Sequence, residues 1–145
     1  MKKIFILLFF FVFSNLCAQE IKLKKIVGTL NKPWSFSFIN EKVIIFTEKS
    51  GFLFTLNLKN KKKSEIKHNL SILEDGQGGL LDVLYHEGEI YISYSENRGG
   101  RKTSTSVAKG KFNKQNIKFK NIFRAEPPIA SGYHFGSRLV IKNNH

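Results

Sequence analysis

The sequence predicts an all-β chain, on three observations. Beyond Gln19 no stretch keeps the 3.6-residue apolar period of a helix, whereas short runs rich in Ile, Val, Phe and Tyr alternate with polar residues. Gly, Asn and Lys clusters separate those runs at hairpin spacing. The runs also recur as a set: units open near Trp34, Leu80 and Arg138, about 46 and about 58 residues apart, close to the roughly 40–50 residues of a propeller blade once an inserted loop is allowed.

The first element stands apart from the fold. "MKKIFILLFFFVFSNLCA" has a dibasic start, an apolar run from Ile4 to Phe13 and a small residue before Gln19, the pattern of a secretory signal peptide over residues 1–18. The apolar run falls short of the roughly 20 residues that cross a bilayer. Cys17 offers lipidation as an alternative, against which stands Leu16, where a Gly, Ala or Ser would be expected. Cleavage after Ala18 leaves residues 19–145 as one domain without cysteine, so disulfides cannot stabilise it. Localisation is then expected to be periplasmic or secreted.

The strands follow in order. "SFSFI" (35–39), "KVIIFTE" (42–48) and "FLFTLNL" (52–58) form a three-strand meander joined by a two-residue turn and a "KSG" turn. The lysine run "NLKNKKKSEIK" (57–67) has no interleaved aromatics and is expected to be a solvated hairpin tip or connection. "GLLDVLYH" (79–86), "EIYISYSE" (89–96), "STSVAKGKF" (104–112) and "IKFKNIFRAE" (117–126) make a second unit with a tight Gly-containing turn at 87–88. "SGYHFGSRLVI" (131–141) resembles the opening strand of a third. Stacked sheets of this kind expose edges and faces, which a propeller resolves by closing a ring. Two and a part blades cannot close one, so the chain is expected to be the front part of a longer protein.

A formal charge of +13, which falls by two when Lys2 and Lys3 leave with the leader, raises nucleic acid or an anionic envelope as partners. The lysines are scattered, however, with no recognition helix, zinc spacing or aromatic strand motif, which argues against nucleic acid. His68, His86, His134 and His145 lack zinc-ligand spacing. "GQGG" leads neither into the Lys-Ser/Thr of a P-loop nor into a Rossmann fingerprint, and no Gly-x-Ser-x-Gly elbow occurs.

Two residues remain as candidates for chemistry. His134 lies between Tyr133 and Phe135 and can be read as a proton acceptor, since imidazole titrates near ambient pH, or as an ordinary strand-entry residue. Gln77 can be a polar contact for a ligand or simply part of a tight glycine turn. Arg138 could meet a carboxylate with its guanidinium fork or brace the blade. Asp82 sits inside an apolar strand, where a buried carboxylate demands a partner; a hydrogen bond to a neighbouring blade is the expected use.

"LNKPWSFSFI" (30–39), "TEKSGFLF" (47–54), "GQGGLLDV" (76–83), "STSVAKGKF" (104–112) and "SGYHFGSRLV" (131–140), in this order, resemble the soluble pyrroloquinoline quinone (PQQ)-dependent aldose sugar and glucose dehydrogenases, the glucose/sorbosone dehydrogenase family. The resemblance implies a six-bladed propeller that binds PQQ, requires calcium and oxidises the anomeric C1 hydroxyl of aldoses to lactones. It implies that His134 is the general base, taking the hydroxyl proton while the C1 hydride passes to the quinone, and that Gln77 is a cofactor-binding residue. It assigns no metal ligand here, since the calcium ligands and the basic PQQ clamp come from later blades, and it implies that this chain alone is inactive. The "EGE" turn after "DVLYH" is shorter than the family's His-Pro-containing one. Tyr133 stands where the family carries an acidic or basic residue before the histidine, which leaves the sugar open; the sequence does not name the electron acceptor. The alternative is a non-catalytic propeller binding glycans or an envelope protein, because a fold alone does not fix function.

Overall fold

The structure, a computed structural model, describes residues 21–142; the leader predicted over residues 1–18, with Cys17, and His145 lie outside the described residues. Nine strands are present: β1 Pro33–Asn40, β2 Val43–Glu48, β3 Phe52–Asn57, β4 Lys63–His68, β5 Leu80–His86, β6 Glu89–Asn97, β7 Thr103–Lys111, β8 Asn116–Ile117 and β9 Lys120–Arg124. They form two sheets, β1-β2-β3-β4-β8 and β5-β6-β7-β9. All pairings are antiparallel except β4 with β8.

Alternation decides which face of each sheet is buried. In sheet one, Ile45 pairs with Ser37 and Thr55, so one face carries Ile45, Leu53 and Ile66 into the core. In sheet two the even positions of β6, Ile90, Ile92 and Tyr94, meet them with Leu80, Val83 and Ala108. Chemistry changes along this seam. Along β5 it is polar: the Thr47 hydroxyl donates to the Leu81 carbonyl (2.6 Å) and Leu80 N donates to the Lys49 carbonyl (2.9 Å) near its start, and Tyr85 N donates to Ser37 Oγ (3.0 Å) near its end.

The opposite face of sheet one remains open. Trp34, Phe36 and Phe38 are 44, 59 and 56% exposed. With Ile44, Phe46 and the segment Ile26–Leu30 they line an apolar groove of about 620 Å³. On the same face Lys63 places its ammonium 3.7 Å from the centre of the Phe54 ring and 2.7 Å from the buried Glu48 carboxylate.

The seven predicted runs of the first two units all contain strand, but the structure corrects three details. Only 58–62 of the lysine run turns; residues 63–68 pair with β3 as β4, because Ile66 is buried opposite Leu53 while the flanking Glu65 and Lys67 face solvent. The run 117–126 is divided: β8 crosses to sheet one, and β9 returns to pair with β7, held by a two-pronged contact from Arg124 to Glu96 (2.8 and 2.7 Å). The strand expected over 131–141 is absent: these residues join no ladder, and the left-handed φ of +65° at His134 interrupts an extended run.

His68, at the end of β4, is half-buried. Its Nε2 lies 2.9 Å from the Gly51 carbonyl, which only a protonated Nε2 can donate to, and its Nδ1 accepts from Leu70 N at 3.3 Å. Burial pushes its pKa below the ordinary 6.5, partly offset by the Gly51 hydrogen bond. The folded protein therefore holds the neutral ring, while the unfolded chain takes up a proton below 6.5. The stability His68 contributes is complete above pH 6.5 and is lost as pH falls toward the lowered value. Denaturant titrations across this window should show a decline that His68→Gln flattens.

Candidate functional site

The link between the sheets, residues 69–79, carries two glycine positions that backbone contact dictates. A Cβ on Gly79 would stand 2.2 Å from the carbonyl oxygen of Lys49, in the turn between β2 and β3. Gly76 has φ +52°, and a Cβ there would lie 2.4 Å from the Gly132 carbonyl oxygen. No side chain fits either place. The Lys49 ammonium donates to the Gly76 carbonyl, holding the loop against sheet one.

This close approach brings the two candidate residues together. Gln77 N donates to the Gly132 carbonyl (2.6 Å), and His134 N donates to the Gln77 side-chain oxygen Oε1 (3.0 Å). Residues 57 positions apart thus share one corner beside the start of β5. With its carbonyl engaged, the group Gln77 can offer a ligand is its NH2. His134 holds φ +65°, the left-handed region, at a cost of about 1–3 kcal/mol that persists only where surroundings impose it. Its ring is exposed and lies 6.4 Å from that of Tyr133, tilted by 52°.

Asp82 anchors the same segment lower down. Its carboxylate, 3% exposed, accepts from the Ser35 hydroxyl of β1, from Leu139 N (2.6 Å) and from the Arg138 guanidinium (3.3 Å). Ser93 of β6 donates to the Ser137 carbonyl (2.6 Å) and accepts from Asp82 N (3.1 Å). The expected bond from Asp82 to a neighbouring blade is present, toward β1 on one side and the 137–139 segment on the other. Arg138 braces through Asp82, yet its side chain is 77% exposed and keeps donors for a second anion. Lys49 and Ser93 escaped the sequence reading; a "KSG" turn and an alternating serine carry no signal of the backbone carbonyls they meet.

The corner offers the exposed imidazole of His134 and the amide NH2 of Gln77, with the exposed Arg138 guanidinium on the same segment as the histidine. These suit hydrogen bonds to hydroxyls, quinone carbonyls or carboxylates, and so fit one side of a group such as PQQ. The apolar groove on sheet one lies elsewhere and includes neither Gln77 nor His134. Among the described residues no group of three or more His, Cys, Asp or Glu could hold a metal ion.

The fold is that of a class, the β-propeller glucose dehydrogenases. The sequence profile of the Glucose / Sorbosone dehydrogenase family matches residues 30–145, and the chain belongs to that family. It is 31% identical over 127 residues to the aldose sugar dehydrogenase YliI of Escherichia coli (strain K12), covering 77% of this chain and 32% of that protein. A crystal structure of a glucose dehydrogenase superposes with a TM-score of 0.74 at 31% identity, over 79% of this chain and 36% of the other. The PQQ-bound aldose sugar dehydrogenase of Streptomyces coelicolor shares the fold at 14% identity, with a TM-score of 0.63 over 72% of this chain and 34% of that one. The chain thus spans about a third of the length of these relatives. Its two sheets are two blades of the propeller.

Gly76→Ala should cost about 1–3 kcal/mol in chemical denaturation, since the new methyl meets a carbonyl and the backbone remains left-handed. Loss of the amide protection of His134 should accompany it.

Proposed function

We propose that the chain is the N-terminal part of an exported sugar dehydrogenase that removes two electrons from the C1 hydroxyl carbon of an aldose, with PQQ as acceptor. The observation that carries this reading is the convergence of Gln77 and His134 through the His134 N–Gln77 Oε1 bond, on motifs in the family's order. The PQQ-bound aldose sugar dehydrogenase supports the cofactor. Export rests on the leader of residues 1–18.

In this reading PQQ, when bound, supplies the two-electron oxidising group. His134, in its neutral form, accepts the proton of the C1 hydroxyl as that carbon is oxidised, so alkoxide character never accumulates. The fixed backbone at φ +65° limits where the ring can swing, which favours a reactive alignment over a floppy one. Gln77 contributes its NH2 as a donor to cofactor oxygens, and its carbonyl holds the histidine's own backbone. Arg138 can add a guanidinium to a carboxylate while remaining tied to Asp82. The calcium implied by the resemblance finds no ligand cluster among the described residues, and no step is assigned to it.

Because the corner is open on its other side, the 145-residue chain should give no glucose-dependent dye reduction with PQQ and calcium. In a form of the protein that carries the complete ring, His134→Ala should lower turnover by about 10²–10⁴-fold while PQQ binding, followed by absorbance, is retained. Undiminished turnover would reject His134 as the base.

A further inference from the structure

Two hydrogen bonds show how "GQGGLLDV" and "SGYHFGSRLV" are related. His134 N reaches Gln77 and Leu139 N reaches Asp82, and both pairs are separated by the same 57 positions. The second segment therefore lies alongside the first, parallel and in constant register, with both grips made by side-chain oxygens rather than a sheet ladder. Ser93 adds a third fixed point at the Ser137 carbonyl. Residues 132–142 have no strand partner, so these side chains, together with the backbone bond from Gln77 N to the Gly132 carbonyl, set where the segment sits.

We infer that Asp82 is a positioning residue for His134: its buried carboxylate seats the 137–139 end of the segment, so that the His134 backbone is held from both ends, by Gln77 above and Asp82 below. The inference rests on the reading of His134 as the base for its catalytic meaning, but not for its geometry. Asp82 suits the task. A carboxylate with 3% exposure must be satisfied on both oxygens, and it is satisfied by one donor from β1 and two from the segment. The Ser35 hydroxyl fixes the carboxylate from sheet one, and the carboxylate in turn fixes Leu139. Sheet one thereby reaches the lower end of the segment through Asp82, as it reaches the Gln77 loop through Lys49.

Amide hydrogen exchange on the 145-residue chain tests this. Asp82→Val removes both acceptors yet suits a strand interior. It should accelerate exchange at Leu139 and His134 by about tenfold or more, leaving Ile92 and Ala108 in the core at wild-type rates. Asp82→Asn, with a neutral oxygen in place of a carboxylate, should accelerate Leu139 by about threefold. Unchanged rates at Leu139 and His134 in the valine variant overturn the inference, as does equal acceleration of the core amides, which would make Asp82 a general stabiliser. If the valine variant does not fold, the asparagine variant carries the test, and no acceleration at Leu139 overturns it. Exchange needs neither cofactor nor turnover, so the base assignment and the positioning role can fail independently.

Discussion

The free edge of β5 is the constraint around which the molecule is arranged. β5 has a sheet partner in β6 alone, and its register with β6 slips between Leu80 and Val83. Its remaining backbone groups still need partners, because an unpaired buried amide or carbonyl costs about as much as a lost hydrogen bond. Sheet one provides them through Lys49, Thr47 and Ser37. An apolar seam alone would let the sheets slide; these directional bonds fix the level at which β1 and β2 meet β5. The glycines follow from that level, since Gly79 must pass within contact of the Lys49 carbonyl.

The candidate site inherits its geometry from this edge. The loop that enters β5 presents Gln77, the strand itself presents Asp82, and the later segment is laid against both. Rigid parts therefore place a segment that has no regular structure of its own, and the left-handed backbone at His134 is sustained by bonds on either side of it. The histidine's identity matters less to this placement than its main chain, which the Gln77 side chain holds.

Much of the architecture was legible in the sequence because strand patterning and turn chemistry agree locally. "VIIFTEKSGFLFTLN" reads as a hairpin at the residue level, and the structure forms one. β4 was hidden because its single buried apolar residue, Ile66, stands among charged neighbours whose side chains face water. The split of 117–126 was hidden because Ile117 and Phe119 look like the continuing alternation of one strand, whereas they enter the core as the chain crosses between sheets. At the site, the residue types of Gln77 and His134 were readable, but their contact was not: it depends on the near-touch of Gly76 and Gly132, and glycine reports only that some approach is close, not to what.

The aromatic face of sheet one bears on how the chain behaves in water. Phe36 and Phe38 pair with Phe46 and Ile44 of β2, and Trp34 stands beside them at a register shift, so in this chain their exposure belongs to the folded sheet rather than to fraying. Folding hides the core yet leaves an oily surface intact, and fluorescent probes of apolar surface would stain the folded chain. For this molecule, brightening of such a probe would not distinguish a denatured sample from a sound one, and solubility would depend on lysine-rich charge keeping native copies apart.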